Sequence, residues 1–114
     1  MTNDLLYLEH IRDAIARIES YAANGVDSFR HTPHIQDASI RQFEIIGEAS
    51  KRLSAELKDR HPAIPWRRIG GLRDHLIHRY MHVDLEIIWQ IVERDLPQLK
   101  STVAKELSNL NSDT

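Results

Sequence analysis

The chain contains no cysteine, which excludes disulfide scaffolds, thiolate zinc sites and cysteine nucleophiles. It has no apolar run near the roughly 18 residues a membrane span needs, so no membrane association is expected. The start, Met1-Thr2-Asn3-Asp4, lacks the basic segment and apolar core of a secretory signal, and a cytoplasmic protein is expected. Internal repeats and low-complexity stretches are absent too. A net charge of only −2 argues against a general nucleic-acid coat protein, since those are strongly basic. What remains for chemistry is histidine, carboxylate, hydroxyl and arginine.

At 114 residues, with 41% hydrophobic and 28% charged positions, the chain is read as one domain spanning 1–114, its last few residues frayed. Apolar spacing is helical throughout, so the expected fold class is all-α, an antiparallel bundle of four principal helices plus short helical turns. The first helix carries Leu5, Leu8, Ile11, Ile15, Ile18 and Ala22, begins at Asn3 or Asp4 and stops at Asn24-Gly25. Tyr7, Ala14 and Tyr21 add a second stripe, and a face that wide suggests contact on two sides. Pro33 opens a second long helix expected to run to about Lys58, with Gly47 in its middle at a cost of about 1 kcal/mol relative to alanine. His61 to Pro65 breaks it. A short third helix follows, starting at Pro65 and interrupted at Gly70-Gly71. Asp84 is the expected cap of the last helix, whose ladder is Leu85, Ile88, Val92, Leu96, Leu99, Val103, Leu107 and Leu110, with Pro97 bending it without ending it.

Between Arg60 and His82 the chain concentrates Arg60, Arg67, Arg68, Arg73 and Arg79 against the single acid Asp74, with four of the seven histidines. Such a segment attracts anions. Within it, Arg73-Asp74-His75-Leu76-Ile77-His78-Arg79-Tyr80 combines a permanent cation, a titratable imidazole and a phenol. An arginine fork holds phosphate bidentately, and histidine exchanges protons near neutrality. RNA cleavage without metal needs proton removal from a 2′-hydroxyl, protonation of the leaving oxygen and charge stabilisation on phosphate. His78 suits the proton work, Arg73 the charge, Asp74 the orientation of either, and Tyr80 the binding of phosphate. Singly, each has an ordinary role as well: a solvated Arg73–Asp74 pair, a half-buried His78, a packing Tyr80. On one regular helix Arg73 and His78 would diverge by about 140° with a rise of roughly 7.5 Å. Either the helix ends near His78, or two copies of the chain build the site around a two-fold axis. His75, His78 and His82 could share a helical face and hold zinc, but Arg73 and Arg79 would repel a cation, and no metal is assigned.

The arrangement Arg73, four residues, His78, one residue, Tyr80 resembles the signature of the HEPN superfamily, specifically the HepT-like toxins of bacterial and archaeal toxin–antitoxin pairs. Ile40 to Ala49, His61 to Trp66, Gly71 to Asp74 and Tyr80 to Asp84 resemble the corresponding family segments in the same order. The resemblance implies a dimerising helical bundle with a metal-independent endoribonuclease site in the cleft between subunits, leaving a 2′,3′-cyclic phosphate and needing no cofactor. By carry-over, Arg73 and His78 are the catalytic pair and Asp74 the supporting polar residue. The implied partner is a minimal nucleotidyltransferase antitoxin, which in such systems transfers AMP to the tyrosine matching Tyr80. Arg79 and His82 depart from the usual family pattern; with His75 and Arg68 they are candidate RNA-binding residues. A non-catalytic helical adaptor that binds RNA or nucleotide and docks the nucleotidyltransferase is the alternative.

Overall fold

The computed structural model describes residues 3–72, 77–78, 82–83 and 85–112, with the backbone alone at 77–78, 82–83, 85, 111 and 112. Asn3 starts the first helix, its Oδ1 accepting the Leu6 N–H at 3.3 Å and so satisfying one of the amides that a helix start leaves open. Helix α1 (Asp4–Ala22) buries Leu8, Ile11, Ala14, Ile15 and Ile18. Leu5 and Leu6 remain 41% exposed. Gly25, at φ 90°, takes a left-handed conformation that side-chain-bearing residues avoid, and turns the chain into α2 (Gly25–Arg30), which buries Phe29. Pro33 then opens α3 (Pro33–Arg52) in the first turn, where its missing N–H costs nothing.

The second long helix is shorter than its apolar pattern predicts. It ends at Arg52, Leu53 and Ser54 are extended, and a separate short helix α4 covers Ala55–Asp59. Ser54 is the cause. Its Oγ accepts the Leu57 N–H at 3.2 Å and donates to Asp4 Oδ2 at 2.6 Å, while its N–H donates to Asp4 Oδ1 at 2.8 Å. A serine held this way offers the backbone an alternative to continued helix. Leu53 and Leu57 are buried on either side of the break, so the i, i+4 spacing survives and conceals it.

Helix α5 (Trp66–Gly70) starts one residue after Pro65 and packs on α3. The approach is close because of Gly47: a Cβ there would lie 3.1 Å from the Ile69 carbonyl oxygen and 3.3 Å from that of Gly70. Close approach of another backbone is therefore the reason for this glycine. Beyond it, β1 (Ile77–His78) pairs antiparallel with β2 (His82–Val83) in a two-residue ladder, which helical periodicity did not anticipate within an otherwise all-helical fold.

The C-terminal helix consists of α6 (Leu85–Gln90), a π-helical turn (Ile91–Asp95) and α7 (Leu96–Ser112). The expected cap Asp84 lies outside the described residues. Pro97 is the second residue after the π turn. It has no N–H to give and its ring crowds the preceding carbonyls, and the wider turn, marked by a Leu96 N–H bond to the Ile91 carbonyl, makes room for it. The core ladder changes accordingly: Ile91 is 2% exposed, whereas the expected Val92 is only partly buried against the core. Ile88, Ile91, Leu96, Leu99 and Val103 pack with the buried faces of α1 and α3 into one cluster.

Replacing Gly47 by Val should force α3 and α5 apart. Overpacking of this kind costs about 1–3 kcal/mol, more than the gain in helix propensity over glycine of a few tenths of a kcal/mol, and a lowered denaturant midpoint measured by circular dichroism checks it.

Candidate functional site

The segment leading into the basic motif is fastened by an acid inside the apolar ladder. Glu106 on α7 is only 3% exposed. It accepts from Arg60 Nε at 3.2 Å and Nη2 at 3.0 Å, and lies 2.6 Å from His61 Nε2. The Arg60 hydrogen bonds, helped by those of His61, hold the Glu106 carboxyl below its ordinary range although burial pushes it upward. Two oxygens and three donors thus join the end of α4 to the last helix. On the loop they anchor, the Trp66 indole N–H donates to the carbonyls of Lys58 and His61 at 3.2 and 3.1 Å, which fixes the start of α5. Sequence reasoning passed over Glu106. The available signal was an acid three residues beyond Val103 and next to Leu107, on a face otherwise apolar.

Arg73, Asp74, His75, Arg79 and Tyr80 lie outside the described residues. His78 and His82 are placed in backbone: the ladder sets His78 opposite His82 and Ile77 opposite Val83. The chain is extended at Ile77, so the helical course expected for Ile77 is corrected, and a single helix carrying Arg73 through His78 is ruled out. The β-branched Ile77 and Val83 suit the extended form. His78 and His82, expected four residues apart along one helical face, are instead cross-strand neighbours. Arg68, the remaining candidate, is on α5 with Nη2 3.9 Å from Asp95 Oδ2, both partly exposed. That distance is the outer limit of an ion pair and its stabilising effect is small. Among the described residues no group of three or more histidine, aspartate or glutamate side chains is placed to hold a metal ion, and no helix is long and apolar enough to cross a membrane.

The ends of α5 and α6 thus bracket a short reversal that carries His78, with basic side chains on its upstream flank. Comparison with known proteins gives this arrangement a context. The family described as "Ribonuclease HepT-like" matches residues 11–106. A "Probable ribonuclease HepT" from Thermococcus cleftensis is 43% identical over 100 residues, 87% of this chain and 91% of that protein. A "Putative RNase" from Caldanaerobacter subterraneus subsp. tengcongensis is 38% identical over 102 residues, covering 89% of this chain and 91% of its own. A "Gamma-glutamylcyclotransferase and putative RNase" from Methanocaldococcus jannaschii is 40% identical over 107 residues, 93% of this chain, and the chain spans about half, 48%, of that longer relative. No solved structure matches.

The Glu106 clamp sets an acid limit on the segment that leads into the motif. Its carboxyl pKa is lower in the folded chain than the ordinary 4.5, so its stabilisation is complete above that value and is lost as pH falls through the folded pKa. Glu106→Gln should lower the thermal midpoint at neutral pH and flatten its fall as pH drops below the ordinary carboxylate value of 4.5, as read by thermal unfolding at a series of pH values.

Proposed function

Because the chain belongs to the HepT-like ribonuclease family, which matches it from residue 11 to residue 106, we propose that it is the endoribonuclease toxin of a HEPN/MNT toxin–antitoxin pair, acting as a homodimer in the cytoplasm. One observation supports the reading: the family match spans residues 11–106, the stretch of this sequence in which Arg73, Asp74, His78 and Tyr80 fall. The extended backbone at Ile77–His78 supports a site in which His78 works away from the end of a helix.

In this mechanism His78 of one copy takes the proton of the 2′-hydroxyl as its oxygen attacks the adjacent phosphorus. The O2′–P bond forms, the P–O5′ bond breaks, and His78 of the second copy protonates the departing O5′. The products are a 2′,3′-cyclic phosphate and a 5′-hydroxyl, with no metal or cofactor taking part. Arg73 neutralises charge that builds on the non-bridging oxygens, where a preorganised cation lowers the barrier most. Asp74 orients these groups, and Arg68, His75, Arg79 and His82 hold flanking RNA. Silencing follows from the partner, a minimal nucleotidyltransferase that transfers AMP from ATP to the Tyr80 oxygen with release of pyrophosphate. The added bulk and negative charge exclude an RNA phosphate from Arg73 and His78.

Arg73→Ala and His78→Ala should each lower RNA cleavage by about 100-fold or more in protein with an unchanged circular dichroism spectrum; full activity in both would overturn the catalytic assignment. Intact mass of the chain co-expressed with its nucleotidyltransferase should rise by one or more AMP units, and Tyr80→Phe should abolish the increase. An unmodified Tyr80 in a neutralised complex would replace modification by occlusion.

A further inference from the structure

A hollow of about 490 Å³ lies immediately upstream of the motif, lined by Lys51, Lys58, Trp66, Arg67, Gly70 and Gly71. Its volume falls within the roughly 300–1,000 Å³ of small-ligand clefts. Three separate elements build it: the end of α3, the end of α4, and α5. Lys51 and Lys58 are linked through a 3.3 Å bond from Lys58 Nζ to the Lys51 carbonyl, which keeps the Lys58 ammonium over the C-terminus of α3. Gly70 makes room for the lysine, since a Cβ there would stand 3.2 Å from Lys51 Cγ. The neighbouring acid is Glu48, 3.6 Å from Lys51 Nζ, and both side chains are more than half exposed, so it offsets little of the positive potential. Arg67 has no ion pair among the described residues, in contrast to its neighbour Arg68, which faces Asp95.

Trp66 supplies the second kind of contact. Both of its indole hydrogen bonds go to backbone carbonyls, so the ring is fixed while it remains only partly buried. A rigid aromatic surface among cations suits single-stranded nucleic acid: bases stack at about 1–3 kcal/mol each, and phosphates pair with the basic groups. Gly71 is two residues from Arg73 in sequence, which limits the separation of hollow and motif to about 7 Å of extended chain.

We infer that this hollow is the subsite for a nucleotide of the RNA strand next to the scissile phosphate, with Lys51, Lys58 and Arg67 on the backbone phosphate and Trp66 stacked on the base. The inference rests on the ribonuclease reading and adds to it three basic residues and a stacking platform outside the motif.

The test uses the full chain and a single-stranded RNA oligonucleotide, with kcat/KM measured across a salt series. The combined variant Lys51→Ala, Lys58→Ala, Arg67→Ala should lose at least about tenfold in kcat/KM at low salt, and its log–log salt slope should shrink by about 0.7 for each phosphate contact removed. A control with Arg12, Lys100 and Lys105 changed to Ala carries the same net charge and should behave as wild type. In a Trp89→Phe, His78→Ala chain, where Trp66 is the sole tryptophan, RNA should quench its fluorescence. Wild-type rates and slope in the basic variant, an equal loss in the control, or an unquenched Trp66 on bound RNA would each overturn the subsite while leaving the ribonuclease intact. A wild-type chain that neither binds nor cuts RNA overturns the ribonuclease reading, and the subsite with it.

Discussion

The approach of two backbones at Gly47 is the constraint on which the functional half of the molecule depends. Helix α5 can lie against α3 only because a hydrogen atom takes the place of a side chain there. From that contact follow the position of Gly70 beneath the Lys51 stem, the opening of the hollow between α3 and α5, and the point from which the chain enters the basic motif. Interiors are packed as densely as organic crystals, so a shift of a few tenths of an ångström at this crossing would be passed on to the residues that follow.

Polar ties then fix what the apolar core cannot. The cluster formed by α1, α3 and the C-terminal helix orients the long elements but leaves the connecting segments free to slide. Asp4 holds Ser54 across 50 residues, and Glu106 holds Arg60 and His61 across about 46. Both join a connection on one side of α4 to a distant helix. Desolvating a carboxylate is costly unless its oxygens are satisfied, and Glu106 meets this condition with three donors. The short helices of this fold are too brief to be stable alone, and these ties account for their order.

Much of the architecture was legible in the sequence, because apolar periodicity reports which face of a long helix is buried. Leu8, Ile11, Ile15 and Ile18 on α1, and Ile88, Leu96, Leu99 and Val103 near the C-terminus, are buried as their spacing predicts. Periodicity fails where a pattern continues through a break, as at Ser54, or where a side chain of the wrong polarity occupies the buried face, as at Glu106. It also does not register two-residue strands, which are shorter than any period. The chemistry of the motif was readable from residue types and order, since arginine, histidine and tyrosine carry their reactivity with them. The hollow beside it was not. Lys51 and Trp66 are brought together by packing of α3 on α5, which no local pattern encodes.

The π turn at Ile91–Asp95 has a bearing on how this chain can vary in length. Five steps along the chain take the buried Ile91 to the buried Leu96, whereas in uniform α-helix five steps would point them about 140° apart. The wider turn works as a phase corrector between α6, which follows the motif, and α7, which holds Glu106. A chain one residue shorter there could wind as ordinary α-helix and keep these two side chains on one face, since four steps leave them about 40° apart, whereas ordinary winding at the present length would rotate one half against the other by about 100°, turning either the apolar ladder or the clamp toward water. The residue count of this stretch is thus tied to its winding, and the winding to the proline that follows.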